Sequence, residues 1–490
     1  MDAAPTSLLS EDERRRIIVG VLIAMLLAAL DQTIVAPAVP TIGAALGDLD
    51  FLPWIVSAYF LTATAVTPLY GKLADIHGRR PVLFTGIGIF VAGSVICALA
   101  PTLLALVLGR AIQGLGGGGL IALAQTVIGD IVPPRERGRY TAYISTIWAT
   151  ASVGGPIVGG FFAQHLHWSL IFWLNLPLAL LAVLMTNRIL QRLPQWRRNH
   201  RLDFTGAVLI IAATVCLMLM LTWAGTRYSW SSAEILGLGA AFAVFAAAFA
   251  GRLLSAREPL VPLSVLREPV IALATLSIFF AMGAYMGLSV YIPLYLELVH
   301  GFGSSDAGLA LVVFLGAGVV GANLVGRAML SVVHYKRLAV IGVAVAALAM
   351  AGLALVADRA SVYAVEVLLG VIGAGLGTQF PVTTVSVQNA AAPGDLGVAT
   401  GMLAFLRSLG SALSVSVLGA ILLASGIVGN LAEGGGANGA PASPQIAAAS
   451  GHAFAWVFGA GAASLFLSVL CLLFMEEKPL RGHVAVASET

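Results

Sequence analysis

Residues 17–39 read IIVGVLIAMLLAALDQTIVAPAV, and Asp31 is the only charged residue in this run. A hydrocarbon core about 30 Å thick takes about 20 helical residues, so the segment is long enough to cross a membrane. A charge at bilayer depth costs at least about 2.5–3.5 kcal/mol. We therefore expect Asp31 to face a wet cavity or a partner. It would serve either as a hydrogen-bond acceptor between helices or as a group that binds a proton.

The rest of the chain has the same apolar character. Of its 490 residues, 59% are hydrophobic and only 10% are charged, whereas soluble domains are about 25% charged. This composition indicates a polytopic α-helical membrane protein. Cys97, Cys216 and Cys471 lie inside apolar runs, so we expect neither a disulfide nor a metal site. The first apolar run has the length of a full span, which argues against a cleavable signal peptide.

Fourteen apolar segments predict fourteen transmembrane helices. Their approximate bounds are 17–39, 53–72, 82–100, 103–131, 139–163, 169–189, 204–225, 233–254, 270–296, 306–328, 337–357, 361–389, 397–425 and 453–475. With the N-terminus in the cytoplasm, the cytoplasmic segments hold 22 of the 26 Lys and Arg residues, as the positive-inside rule requires. With an odd number of spans, these residues would be divided between the two sides of the membrane. The pattern therefore favours fourteen spans and two cytoplasmic termini.

The fold class that we predict is all-α, with a 6 + 2 + 6 arrangement of helices. Residues 1–190 would form an N-terminal six-helix half, 191–268 an inserted helix pair with its linkers, and 269–490 a C-terminal six-helix half. Two related halves are typical of alternating-access transporters. A Gly-, Ala- and Pro-rich stretch at about 426–452 predicts a flexible external loop.

The loop between spans two and three reads Gly71-Lys-Leu-Ala-Asp75-Ile-His-Gly78-Arg79-Arg80. Gly71 allows close helix approach, and Gly78 allows a tight turn. Asp75 can accept a charge-assisted hydrogen bond from an arginine or cap the N-terminus of a neighbouring helix. These residues predict a cytoplasmic gate that Asp75 and Arg79 hold closed. The alternative is an ordinary basic loop.

Arg110 is a second charge inside a predicted span. Nine residues separate Asp31 from Pro40 and Arg110 from Pro101, both at the predicted external boundary, so both charges lie about 13 Å below the outer surface. Pairing would offset part of the cost of burying either charge. We therefore expect the two to approach each other, directly, through water or through Gln113. Arg407 lies at a similar depth and is the alternative partner.

Span five carries Gly154-Gly155-Pro156-Ile-Val-Gly159-Gly160. Small residues at this spacing let helices pack backbone to backbone, and Pro156 removes a backbone donor and can kink the helix. We expect a close-packed, kinked helix between the halves that restricts leakage. Plain helix packing is the alternative.

Together these motifs resemble those of the major facilitator superfamily. The Gly71–Arg80 block resembles its loop 2–3 signature, and Asp31 with the following Gln-Thr-Ile-Val resembles the first-helix motif of its fourteen-helix drug:proton antiporters. Arg110 stands in Gly-Arg-Ala-Ile-Gln-Gly, which is similar to the fourth-helix motif, and Gly154–Gly160 is similar to the fifth-helix antiporter motif. Further matches are Pro133–Arg139, Asn175-Leu-Pro177, Asp203–Gly206, Gln388-Asn389 and Gly397–Gly401 followed by Arg407. The resemblance implies the major facilitator fold, proton antiport and a proton-coupling role for Asp31 and Arg110.

The chain departs from the family pattern at several positions. Ser169 stands where Arg is usual, Glu297 stands where Gln is usual, and Glu366 matches no motif. Acids that face a cavity would favour cationic substrates. The alternatives are an interfacial charge for Glu297 and a local pair with Arg359 for Glu366. The substrate-cavity candidates are therefore Gln32, Gln113, Glu297, Glu366 and Arg407.

The sequence thus predicts a proton-coupled exporter of lipophilic, cationic small molecules in a bacterial inner membrane. Its partners would be small-molecule substrates, protons and the lipid bilayer, with no nucleic acid; an adaptor protein is left open, and we expect a functional monomer. We expect no cofactor, because the proton gradient supplies the energy. No Walker loop is present, and the histidines lack metal-ligand spacing. The alternatives are an exporter of one endogenous lipid or metabolite and a non-transporting membrane sensor or assembly subunit.

Overall fold

The computed structural model describes residues 10–47, 51–52, 54–191, 202–225, 227–302, 304–332, 334–425 and 444–480. Fourteen long helices dominate this part of the chain. They are α1 (Glu11–Ile34), α2 (Trp54–His77), α3 (Arg79–Ala98), α4 (Leu103–Ile131), α5 (Pro134–His165), α6 (Asn175–Leu190), α7 (Phe204–Trp223), α8 (Ala233–Ser255), α9 (Pro269–His300), α10 (Ser304–Ala328), α11 (Tyr335–Val356), α12 (Val362–Ala390), α13 (Leu396–Ala424) and α14 (Pro444–Phe474). Short helical turns at Ala36–Ala38, Val39–Leu46, Leu170–Trp173, Leu263–Arg267 and Pro393–Asp395 lie between them.

Thirteen helices of the described chain are long and apolar enough to cross a membrane. Helix α2 is not one of them. Its 24 residues would extend about 36 Å, but Pro68, Lys72 and Asp75 lower its hydropathy. The predicted count of fourteen spans therefore stays a prediction.

One predicted boundary is wrong. Helix α14 begins at Pro444, nine residues before the predicted start of the last span, so residues 444–452 are helical and not part of a loop. The other residues of that predicted loop, 426–443, lie outside the described residues.

Contacts divide the helices into two groups of six with a pair between them. Helix α1 packs on α4, α5 and α6, and α9 packs on α12, α13 and α14. Glycines let α4 approach its neighbours closely: a side chain at Gly114 would meet the Tyr59 carbonyl of α2, and one at Gly116 would meet the backbone of Phe90 in α3. The glycine run of α4 therefore serves helix packing.

Helix α7 of the inserted pair lies along the seam between α2 and α13, and α8 packs on α7. The Ser416 hydroxyl of α13 donates to the Leu221 carbonyl of α7 over 3.1 Å. On the other side of the seam, the rings of Trp54 and Trp223 meet edge to face with their centroids 5.9 Å apart. Helix α7 thus contacts both six-helix groups.

Candidate functional site

Asp31 lies at the centre of a buried hydrogen-bond network within the first six helices. Arg110 Nη1 donates to Asp31 Oδ2 over 2.5 Å and to Gln113 Oε1 over 2.6 Å. The other carboxylate oxygen, Oδ1, accepts from Gln113 Nε2 at 2.7 Å and from Asn175 Nδ2 at 3.0 Å. The Ser94 hydroxyl accepts from Gln113 at 2.9 Å and from Asn175 at 3.2 Å. None of the five side chains is more than 1% exposed.

Helices α1, α3, α4 and α6 each contribute to this network, and α2 surrounds the arginine. Arg110 Nε donates to the Ile55 carbonyl over 2.8 Å, and its guanidinium lies 4.5 Å from the centroid of the Tyr59 ring. A buried guanidinium is tolerated only where carboxylate, carbonyl and aromatic partners replace water. Arg110 has all three.

The predicted approach of Asp31 and Arg110 is therefore present, and it is direct. Gln113 bonds to both residues. Sequence reasoning did not assign Ser94 and Asn175 to the site. Asn175 gave a signal through its Asn-Leu-Pro motif, but a lone serine in an apolar helix gives none.

A second polar cluster joins the two six-helix groups at one end of the bundle. We call the end that carries Asp75, Arg79, Arg137 and Lys478 the basic end. Asp75 Oδ1 accepts from the backbone N–H of Gly397 at 3.0 Å, and Oδ2 accepts from that of Val398 at 2.8 Å. Asp75 thus caps the first turn of α13, where the helix dipole favours a negative charge.

Arg79 holds this carboxylate in place. Its Nη1 donates to Asp75 over 2.5 Å, and its Nε donates to Asp130 over 2.8 Å. Gly71 lies against the Gly397 backbone, which a side chain would clash with, and Gly78 has a φ of 89°. The predicted close approach at Gly71, the turn at Gly78 and the contacts of Asp75 with Arg79 and a helix N-terminus are therefore present, while their role as a gate stays a prediction.

Arg80 was placed wrongly in the gate. Its guanidinium turns toward α6, where Nη2 donates to Asn187 Oδ1 over 2.7 Å. The next residue after a gate residue in a helix points about 100° away, so Arg80 reaches a different neighbour. A second contact between the halves at the basic end comes instead from Gln388, whose Nε2 donates to the Gln125 carbonyl over 3.0 Å.

Between the two six-helix groups lies a cavity of about 780 Å³. Its wall is mostly apolar. Gln32 and Arg407 line it, as predicted, together with Thr33, Met282 and Tyr291. Arg407 is therefore not the partner of Asp31 but a separate positive charge in the cavity wall.

Three predicted cavity residues lie elsewhere. Gln113 is fully buried in the Asp31 network. Glu297 lies two helical turns past Val290, the cavity residue on the same face of α9, and Glu366 lies about four turns before Phe380 on α12. The expectation of cationic substrates rested on these two acids and loses that support.

Comparison with known proteins agrees with this architecture. The family model for the Major Facilitator Superfamily matches residues 21–415. The chain belongs to the major facilitator superfamily. Two relatives in Bacillus subtilis are named Multidrug resistance protein 3 and Multidrug transporter protein MdtP. The first is 32% identical over 406 residues, covering 83% of this chain and 79% of the relative. The second is 31% identical over 412 residues, covering 84% and 76%.

The solved structure of the proton:xylose symporter XylE, itself a major facilitator, matches this chain with a TM-score of 0.63. It is 15% identical and covers 96% of this chain and 98% of XylE, which supports the fold alone. Membership of the superfamily makes this chain a multi-pass membrane transporter and not an enzyme.

The motif glycines of α5 pack on α1. A side chain at Gly155 would meet Thr33, and one at Gly159 would meet the Ile34 carbonyl, so α5 packs backbone to backbone on α1 within the same half. Pro156 is exposed and Gly160 has no close neighbour. Helix α5 also packs on α10 and α12 of the other six-helix group, so it lies between the halves as predicted, while its small residues face α1, two to three residues from Asp31. That it restricts leakage stays a prediction.

Proposed function

We propose that this facilitator is a proton-coupled antiporter that exports lipophilic small molecules by alternating access. The observation that carries the proposal is the buried Asp31–Arg110 network beside a large, mostly apolar cavity. The names of the Bacillus relatives support multidrug efflux. We further propose that it works in a bacterial inner membrane with both termini in the cytoplasm, where the basic end would face inward.

Proton binding on Asp31 is the proposed coupling step. The neighbouring residues Gln32 and Thr33 line the cavity, so a proton that reaches the cavity is close to the carboxylate. A proton on Asp31 removes the negative charge that compensates Arg110. The guanidinium then keeps Gln113, the Ile55 carbonyl and the rings of Tyr59 and Phe172 as partners.

The energy of that change is of the size that a conformational switch needs. Breaking one member of a buried ion pair costs about 3–5 kcal/mol. Moving a two-state equilibrium from 1:99 to 99:1 takes about 5.5 kcal/mol. A rearrangement of α1, α4 and α6 that gives Arg110 new partners would therefore supply a substantial part of the free energy of the switch.

Helix α5 connects this event to the cavity wall. The Thr33 hydroxyl donates to the Ala151 carbonyl of α5 over 2.6 Å, and Gly155 and Gly159 keep α1 and α5 in backbone contact. Because α5 also packs on α10 and α12 of the other half, movement of α1 is passed to the interface between the halves.

The test is uphill transport in proteoliposomes with an imposed pH gradient and a fluorescent lipophilic dye. Asp31→Asn should abolish gradient-driven accumulation while leaving dye binding and downhill movement. The matched control is Asp203→Asn, because Asp203 is also buried and paired, with Arg252 at 3.0 Å, but lies outside the network. Undiminished uphill transport by the Asp31 variant would refute the coupling role. Absence of any pH-driven transport by the parent would refute antiport.

A further inference from the structure

Arg407 is the charge that the proposed mechanism leaves unused. Of the described residues that line the cavity, it is the only Arg, Lys, His, Asp or Glu. It lies twelve residues from Asp395, which places it about 18 Å along its helix from the basic end. A positive charge at this depth needs a partner or water.

Within the described part of the chain, the Arg407 guanidinium makes no hydrogen bond or ion pair. The other arginines of the bundle interior are all engaged: Arg110 with Asp31, and Arg79 with Asp75 and Asp130. The nearby Ser411 hydroxyl is turned to the Arg407 carbonyl over 2.9 Å and not to the guanidinium. Arg407 therefore offers unused N–H donors to the cavity.

The surrounding wall suits the apolar part of a ligand. Phe60 and Leu61 of α2, Met282 and Met286 of α9, and Leu221 of α7 all line the cavity. Methionine side chains adapt to ligands of different shape. A pocket of this kind fixes a ligand by one polar contact and an apolar surface.

We propose that Arg407 binds the anionic group of an amphiphilic organic anion, such as a carboxylate, sulfonate or phosphate monoester, whose apolar part contacts Met282 and Met286. The planar guanidinium matches these oxyanions by paired hydrogen bonds. This assignment rests on the proposed function, because it names the substrate class of the same cavity. It replaces the expectation of cationic substrates.

The first experiment measures binding to the purified full-length chain without a pH gradient. The probes are 1-anilinonaphthalene-8-sulfonate and its uncharged analogue N-phenyl-1-naphthylamine, which share the same ring system. The parent should bind the sulfonate at least several-fold more tightly than the uncharged analogue, after correction for the partition of both probes into detergent. Equal or weaker binding of the sulfonate would overturn the proposal without the need for any variant.

The second experiment uses Arg407→Gln and the conservative Arg407→Lys. The glutamine variant should raise the Kd of the sulfonate about tenfold or more, since a charge-assisted bond is lost, and change that of the neutral probe less than about twofold. The lysine variant should recover part of the affinity. The control is Arg227→Gln, an exposed arginine that stacks on Trp223 outside the cavity. Equal loss for both probes would mean that Arg407 has only a structural role, and no loss for either would overturn the proposal.

These results separate the two proposals. Anion-selective binding without pH-driven transport would refute proton antiport and leave the Arg407 site intact. Transport driven by a pH gradient, with no anion-specific effect of Arg407→Gln, would refute the anion site and leave antiport intact.

Discussion

Removal of the Asp75 carboxylate should open the basic end. In the structure, Asp75 joins α2 to α13 through two charge-assisted bonds, to the N–H groups of Gly397 and Val398 at 3.0 and 2.8 Å. Hydrogen bonds to charged groups contribute about 1.5–3 kcal/mol each. When the basic end opens, water replaces part of these hydrogen bonds. We therefore take the loss of closed-state stability in Asp75→Ala as about 3 kcal/mol, roughly the lower bound for the two bonds. At 1.36 kcal/mol per tenfold change, the ratio of closed to open molecules should fall about 150-fold.

The assay is a distance measurement between spin labels at Arg15 on the first half and Ser331 on the second. Both side chains are exposed and lie at the basic end, away from Asp75. The labels are placed on a background without the native cysteines. Asp75→Ala should convert a short distance into a mainly long one, and Asp75→Asn should give an intermediate distribution, because an amide oxygen still accepts one N–H.

The matched control is Asp130→Ala. Asp130 also bonds Arg79, over 2.8 Å, but Arg79 and Asp130 belong to the same half. The control removes a partner of Arg79 without touching a contact between the halves, so the distances should stay as in the parent. Unchanged distances in Asp75→Ala, or equal changes in both variants, would refute the role of Asp75 as the gate contact.

Three further predictions concern the packing and the network. Gly159→Ala should lower the melting temperature, because overpacking costs about 1–3 kcal/mol. Gly160→Ala should not lower it, since the added side chain would meet nothing closer than 4.0 Å. Equal melting temperatures of the two variants would count against the α1–α5 contact. Ser94→Ala should cost about 1–3 kcal/mol in unfolding free energy by stripping an acceptor from two buried amides, and a change below about 0.5 kcal/mol would contradict this. A double-mutant cycle of Asp31→Asn and Arg110→Ala should show a coupling above about 1 kcal/mol in substrate-binding free energy, and additive effects would mean that the two charges act separately.

Because the protein lies in a membrane, much of its fold can be predicted from the sequence. Every span must be a long apolar helix with its backbone hydrogen bonds satisfied internally, so composition and the distribution of Lys and Arg are enough to predict the helices. Counting residues from the helix ends brought Asp31 and Arg110 to one depth, and a buried charge needs a partner. Those two constraints predicted a contact between residues 79 positions apart.

Depth alone does not fix which way a side chain points around its helix. Arg407 matched the depth of Asp31 equally well, yet it belongs to the cavity wall and Asp31 to the network. The direction is set by packing between helices, which hydropathy does not report. Sequence reasoning did not place Asn175 and Ser94 in the network for another reason. A neutral polar side chain costs little free energy in a membrane span, so its presence there does not indicate that it belongs to a buried network.

The position of α7 has a consequence for entry from the lipid. By lying across the seam between α2 and α13, this helix closes one flank of the cavity to solutes that diffuse within the bilayer. On the opposite flank, α5 and α10 meet near the basic end, where Gly138 lies against Gly326, and neither helix of the inserted pair is among their main contacts. We therefore expect a lipophilic molecule that enters from the bilayer to pass between α5 and α10 and not between α2 and α13. A twelve-helix relative without the inserted pair would offer both routes.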